Sequence, residues 1–195
     1  MKSILAYASF ALALLSPLAS AAPVENGGPQ IAPFTLRAIT PRGSPTVINN
    51  KLQLLGNRIV LGPVQGGTEF VAYIEPSPKG KLIKQGSNQE IFFLDPVNNP
   101  PVPGYHTFKS THSLSSLSST SQYQGFFATG AGCGSHCGGP QLVYDQTPDD
   151  DQYKGNWYVS PRPNNERGYS LHWVSDGEAP EGHILVYLLR ESVPQ

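Results

Sequence analysis

The sequence is poor in charge, in cysteine and in long apolar runs. Of its 195 residues 14% are charged, and the formal net charge is −1. A generic nucleic-acid binder carries a basic excess, so the composition excludes that class. After the first 21 residues no apolar run approaches the roughly 18 residues of a membrane-spanning helix, and we expect no membrane partner. Only two cysteines are present, and a domain of this size needs no disulfide lattice for stability.

The first 21 residues have the pattern of a secretory signal peptide. Lys2 supplies a positive start, residues 4–15 are almost entirely apolar, and Ala19-Ser20-Ala21 offers the small residues that a signal peptidase recognises. The pattern predicts cleavage after Ala21 and a mature chain that is secreted and extracellular, free or associated with the cell wall.

Short segments rich in β-branched and aromatic residues, separated by Gly, Pro and Asn, fill the rest of the chain. Residues 22–33 lack periodicity and are predicted to be a flexible leader. Residues 34–192 are predicted to form a single all-β domain, an antiparallel β-sandwich or barrel with long loops, because strand-like segments recur every 8–15 residues or so. The predicted strands are 34–40, 58–61, 68–75, 81–84, 90–95, 123–129, 141–144, 156–160, 169–174 and 183–189.

Two segments interrupt this rhythm. Residues 95–104 (DPVNNPPVPG) are predicted to be a rigid, exposed proline loop. Residues 110–121 hold seven Ser and two Thr, which is typical either of a flexible surface loop or of an O-glycosylated segment of a secreted protein.

Both cysteines lie in the glycine-rich segment 130–140. In an oxidising compartment Cys133 and Cys137 are predicted to form a disulfide that fixes this loop. The alternatives are a metal site with His136 and a distant fourth ligand such as His172 or His183, and a redox-active pair. We predict no metal and no cofactor.

No catalytic motif is present, and no catalytic residue is predicted. The chain lacks a G-x-S-x-G elbow, an H-E-x-x-H helix and a phosphate-binding loop.

Aromatic side chains on a β face could instead stack on sugar rings. Strand alternation assigns Trp157 and Trp173 to the core, and leaves Tyr153, Tyr158 and His172 as the candidate ligand-binding residues.

The last third of the chain resembles a known family. The segments Gly155-Asn-Trp-Tyr-Val-Ser160, Tyr169-Ser-Leu-His-Trp-Val174 and Pro180-Glu-Gly-His183, with an opening strand Pro33-Phe-Thr-Leu-Arg37, resemble small secreted proteins of filamentous fungi, a β-rich family of uncharacterised function. The resemblance implies an extracellular β-rich protein and transfers no catalytic residue. Similar proteins are expected to carry cysteines near Ser160 and His183, and this chain has neither.

Together these observations predict a secreted, non-catalytic protein that binds a cell-wall polysaccharide or a host protein, in the manner of an effector. The alternative is a secreted hydrolase that uses Asp or Glu carboxylates on a β scaffold, which would need two carboxyl groups roughly 5–10 Å apart in a cleft.

The mass of the secreted protein tests two of these predictions. A Cys133–Cys137 disulfide lowers the mass by that of two hydrogen atoms, and reduction with thiol restores it. Hexose increments on peptides that cover residues 110–121 would identify O-glycosylation. A free-thiol mass for both cysteines in the untreated secreted protein would contradict the disulfide.

Overall fold

The computed structural model describes residues 32–76, 79–87, 90–98, 101–129, 139–145, 156–164, 166–175 and 179–193. Within these ranges there are thirteen β-strands and no α-helix, and the only helical segment is a 3-10 turn at Leu114–Ser116. The strands are β1 Phe34–Ile39, β2 Asn49–Leu55, β3 Arg58–Leu61, β4 Thr68–Glu69, β5 Ala72–Ile74, β6 Leu82–Lys84, β7 Ile91–Asn98, β8 Pro101–Thr111, β9 Phe126–Ala128, β10 Leu142–Tyr144, β11 Asn156–Pro161, β12 Tyr169–Val174 and β13 Ile184–Ser192.

The strand pairs close on themselves, so the predicted all-β class is confirmed in the form of a barrel. Nine antiparallel strands form the closed ring, and the remaining strands add to it. The ring runs through β1, β5, β6, β7, β8, β3, β12, β11 and β13 before it returns to β1. Closure leaves few unpaired strand edges.

The pairing also repeats three times along the chain. The hairpins β2–β3, β7–β8 and β11–β12 pair with one another through β3, β8 and β12. The shorter strands are linked in turn. β5 pairs with β1 and with β6, the Gly80 carbonyl before β6 accepts bonds from the start of β9, and β9 pairs with β10. A backbone bridge then joins the start of β10 to β13, which pairs with β1. Each of the three hairpins therefore contributes one strand to a junction at which β3, β8 and β12 meet.

Alternation along the strands places one side chain in two inside the barrel. Phe34, Leu36 and Ala38 of β1 share one face of the strand and are buried. Trp157 and Trp173 are also buried, as predicted, and they lie opposite each other in the β11–β12 register.

Aromatic rings occupy the place where the hairpins meet. Phe108 of β8 is fully buried, and its ring centroid lies 5.3 Å from that of Trp157 and 5.8 Å from those of Phe92 and Phe126. Phe70 packs on Phe92 at 4.6 Å. Each hairpin or its flanking strand therefore contributes a ring to one cluster, which we call the aromatic core.

The prediction of a proline loop at residues 95–104 is wrong. β7 continues through Pro96, which lies opposite His106, and β8 begins at Pro101, opposite Asn98. A register irregularity between Pro96 and Asn98 accommodates the missing backbone donors, because proline is tolerated in a sheet at bulges and at the ends of strands.

The strand β2, with the polar sequence NNKLQLL, was not predicted at all.

Most of the serine-rich segment lies at the surface, as predicted, whereas its first residue, Ser110, is buried and belongs with Thr111 to β8. Its hydroxyl groups bond to one another, with Ser113 and Ser115 at 2.7 Å and Ser118 and Ser121 at 2.8 Å. The Ser121 hydroxyl also donates to Asp95 at 3.0 Å, which anchors the end of the segment to β7.

No helix in the described part of the chain is long and apolar enough to cross a membrane.

The position of Phe108 predicts a large loss of stability on truncation. Phe108→Ala removes a ring that four other rings contact, and a buried Phe→Ala change costs about 3–5 kcal/mol. Urea unfolding followed by tryptophan fluorescence measures the change. The matched control is Leu114→Ala, whose side chain is half exposed and whose loss should change the unfolding free energy by less than about 0.5 kcal/mol. Equal losses in the two variants would contradict this account of the core.

Candidate functional site

The hairpin β11–β12 presents polar residues on the face opposite the core. Leu171 and Trp173 of β12 belong to the core, so His172 between them points outward. The register of the hairpin sets Tyr158 of β11 directly opposite His172. On the other edge of β12, His172 lies opposite Thr107 of β8.

Four side chains gather on this face, and we call them the Tyr–His cluster: Tyr105 of β8, Ser160 of β11, His172 of β12 and His183, which immediately precedes β13. Tyr105 Oη lies 2.7 Å from His183 Nε2, and Ser160 Oγ lies 2.9 Å from His172 Nε2. Ser160 also lies close enough to Tyr105 to lower the pKa of its hydroxyl slightly. The Tyr105 ring stacks on His172 with the centroids 4.8 Å apart.

Hydrogen-bond partners define the tautomer of the neutral His183 ring. Its Nδ1 lies 2.9 Å from the Pro180 carbonyl oxygen, which can only accept, so Nδ1 carries the proton. The Nε2 atom is then left to accept the Tyr105 hydroxyl proton.

Burial controls the charge of the other two titratable groups. It raises the pKa of Tyr105 to about 12, against a smaller lowering by the Ser160 hydrogen bond. It lowers the pKa of His172 to about 3, and repulsion from His183 lowers it further. Both groups are therefore uncharged at neutral pH.

The contact between Ser160 and His172 is not that of a catalytic serine. A general base works best with a pKa near the operating pH, and that of His172 is far below it. Among the described residues, His172 Nδ1 has no hydrogen-bond partner, whereas in a triad a carboxylate orients the base through that atom.

A second polar feature lies along the serine-rich segment. Two cavities of about 460 and 450 Å³ adjoin there and share His112 and Ser113, and we call them together the serine groove. The first cavity is lined by Gly56, Asn57, Glu90, Ser110, Thr111, His112, Ser113 and Ser116. The second is lined by Glu75, Lys81, Ile83, Ile91, His112, Ser113, Leu114 and Ser115.

A buried carboxylate lies at the base of the serine groove. The side chain of Glu90 is only 5% exposed, and it accepts hydrogen bonds from Lys84 Nζ at 2.7 Å and Ser110 Oγ at 2.9 Å. In the second cavity Lys81 Nζ lies 3.2 Å from Glu75 Oε2. Each carboxylate of the groove thus has a lysine partner, so the two pairs contribute no net charge.

The structure brings together two of the three predicted ligand-binding residues. Tyr158 is half-buried and His172 is buried, and the two are cross-strand partners. Tyr153 lies outside the described residues, as do Cys133 and Cys137, and the predicted disulfide stays a prediction. In the described part of the chain, no three His, Cys, Asp or Glu side chains are grouped so as to hold a metal ion.

Sequence reasoning missed Tyr105 of the cluster and Glu90 of the groove, and it named His183 only as a distant fourth ligand for a metal site at Cys133, His136 and Cys137. Tyr105 immediately follows the segment taken for a proline loop, so no strand face was assigned to it. In the sequence, Glu90 was only the first residue of a predicted strand. The one indication of its ion pair was Lys84, which lies six residues earlier in the chain.

Comparisons of the chain with protein-family models, with curated proteins and with solved structures found no match.

The burial of Glu90 predicts that its ion pair stabilises the fold more than an exposed pair does. Glu90→Gln leaves Lys84 without its anionic partner and weakens the Ser110 bond, so we expect a loss of about 1–3 kcal/mol in unfolding free energy. Glu69→Gln is the matched control, because its pair with Lys51 is about half exposed and should cost less than about 1 kcal/mol. Urea unfolding of both variants at neutral pH measures the two losses. An equal loss of unfolding free energy in the two variants would refute the assigned role of Glu90.

Proposed function

We propose that this protein is a secreted, non-catalytic binding protein that acts at a cell wall or host interface and takes a neutral oligosaccharide in the serine groove. The pattern of residues 1–21 and the resemblance of the last third of the chain to small secreted fungal proteins support the location. The groove itself carries the proposed ligand class.

The lining of the serine groove suits a polyhydroxylated ligand. Its two cavities fall within the range of about 300–1,000 Å³ typical of small-ligand sites. Hydroxyl groups of Ser113, Ser115 and Ser116 can donate and accept hydrogen bonds, and so can the side-chain amide of Asn57. Sugar hydroxyls likewise donate and accept hydrogen bonds, so the side chains of the groove and the hydroxyls of a sugar can bond to each other.

Charge selects a neutral ligand over a charged one. Because Glu90 is paired with Lys84 and Glu75 with Lys81, the groove has no unpaired carboxylate or ammonium group among these four. A polyanion or polycation would lose hydration without gaining an opposite charge, at a cost that a neutral sugar does not incur.

The same pairing supports binding over hydrolysis. Glycoside hydrolysis needs one carboxyl group that gives a proton to the glycosidic oxygen and a second that acts as nucleophile or base. Both carboxylates of the groove are held by lysines. This leaves the hydrolase alternative without a supporting observation, and the binding experiment includes a readout for it.

O-glycosylation of the serine-rich segment would compete with the proposed ligand, because Ser113, Ser115 and Ser116 line the groove. The binding experiment therefore uses residues 22–195 from a bacterial host that adds no such glycans, with the glycosylated protein as a comparison. Weaker binding by the glycosylated form is expected.

Pull-down on insoluble chitin, β-glucan and mannan, followed by calorimetry with soluble oligosaccharides, tests the proposal. The double variant His112→Ala/Ser113→Ala removes side chains shared by both cavities, and we expect about tenfold weaker binding, equivalent to one or two lost hydrogen bonds. The matched control, Ser118→Ala/Thr120→Ala, changes hydroxyls of the same segment that do not line the two cavities and should bind as the parent protein does.

Absence of binding to every polysaccharide, or equal binding by both double variants, would overturn the proposal. Release of new reducing ends during incubation would replace it with the hydrolase.

A further inference from the structure

We propose that the Tyr–His cluster is a binding site for one copper(II) ion, with His172 Nε2, His183 Nε2, Tyr105 Oη and Ser160 Oγ as its ligands. The inference is independent of the serine groove.

The first argument is the spacing of the four donor atoms. They form two close pairs, in which His183 Nε2 lies 2.7 Å from Tyr105 Oη and Ser160 Oγ lies 2.9 Å from His172 Nε2. Ligand atoms about 2.0 Å from a metal ion and at right angles to each other are about 2.8 Å apart. Within each pair the two donors thus already have the separation of neighbouring ligands in a tetragonal site.

The second argument is the relation of the two imidazole rings. Their centroids are 5.4 Å apart, with an angle of 62° between the ring planes. A coordinated imidazole has its centroid about 3.2 Å from the metal, so two such rings at angles of about 90–120° have centroids roughly 4.5–5.5 Å apart. Both histidines can therefore bind one ion without large movement of either strand.

The third argument is the orientation of His183. Histidines that ligate metals almost always donate their other ring N–H to a carbonyl or carboxylate, which fixes the tautomer with the ligating nitrogen unprotonated. His183 Nδ1 makes this bond to the Pro180 carbonyl at 2.9 Å. Its Nε2 lone pair is thereby directed to the cluster before any ion is present.

The donor set selects the metal. Two imidazole nitrogens and two hydroxyl oxygens, with no thiolate, form a tetragonal N,O set that suits copper(II), the divalent ion that binds most tightly to nitrogen and oxygen ligands. Coordination replaces the Tyr105–His183 hydrogen bond, and the phenol proton is released to solvent as the phenolate binds the cation. Copper stays in the divalent state throughout, so no electron donor is needed.

Titration of the mature chain with copper(II) in a non-coordinating buffer tests the proposal. We expect a phenolate-to-copper charge-transfer band that saturates at one equivalent, an axial paramagnetic resonance spectrum with nitrogen hyperfine structure, and a rise in melting temperature that a chelator reverses. Zinc(II) should give a smaller rise in melting temperature at the same concentration.

The variants separate the cluster from adventitious binding. Tyr105→Phe preserves the ring that stacks on His172, and it should lose the charge-transfer band and weaken binding by at least roughly tenfold. His183→Gln should lose both the band and the saturable binding. Tyr187→Phe, which removes a phenol of β13 outside the cluster, should leave the band, stoichiometry and affinity unchanged.

Circular dichroism and thermal unfolding without metal show whether each variant is folded. A charge-transfer band that survives in folded Tyr105→Phe, copper binding that survives in folded His183→Gln, or no saturable binding to the parent protein would each overturn the proposal. A larger stabilisation by zinc(II) than by copper(II) would overturn the assignment of the metal.

Discussion

The contact of Phe108 with its neighbouring rings is the interaction on which the rest of the structure depends. Three hairpins distant in sequence must meet at one point for the barrel to close, and at that point Phe108 packs against Phe70, Phe92, Phe126 and Trp157. Aromatic rings suit this position because a few of them bury a large area with few rotatable bonds. Without them the hairpin ends would enclose a void, and close-packed interiors hold few voids of that size.

Much of the fold could be predicted from local sequence. The segments 34–40, 58–61 and 169–174 were predicted as strands, the last two with the bounds that the structure shows. The prediction of strands failed where the composition of a segment was unusual for the place that the segment takes in the folded protein. β2 is rich in Asn, Lys and Gln because only Leu52 and Leu54 reach the core, and β8 starts with prolines that composition alone assigns to a loop.

The candidate sites were less predictable, because long-range register creates them. Tyr105 and His183 are 78 residues apart in sequence, yet they meet because β8 pairs with β12 and the chain returns beside β11 at the start of β13. Alternation could place His172 on the outer face of β12, and did. No local pattern could bring Tyr105 to it, since that requires the pairing of Val174 with Tyr105.

Strand β8 connects the core to both candidate sites. Phe108 points inward to the aromatic core, Tyr105 lies toward one end in the Tyr–His cluster, and Ser110 lies toward the other end, where it donates to Glu90 beneath the serine groove. Because the packing of Phe108 fixes the position and orientation of β8 in the barrel, it also fixes the positions of Tyr105 and Ser110 relative to the side chains that they contact. The residues that β8 supplies to the polar cluster and to the polar groove are therefore positioned by the packing of the strand to which they belong, which holds side chains more precisely than a loop does.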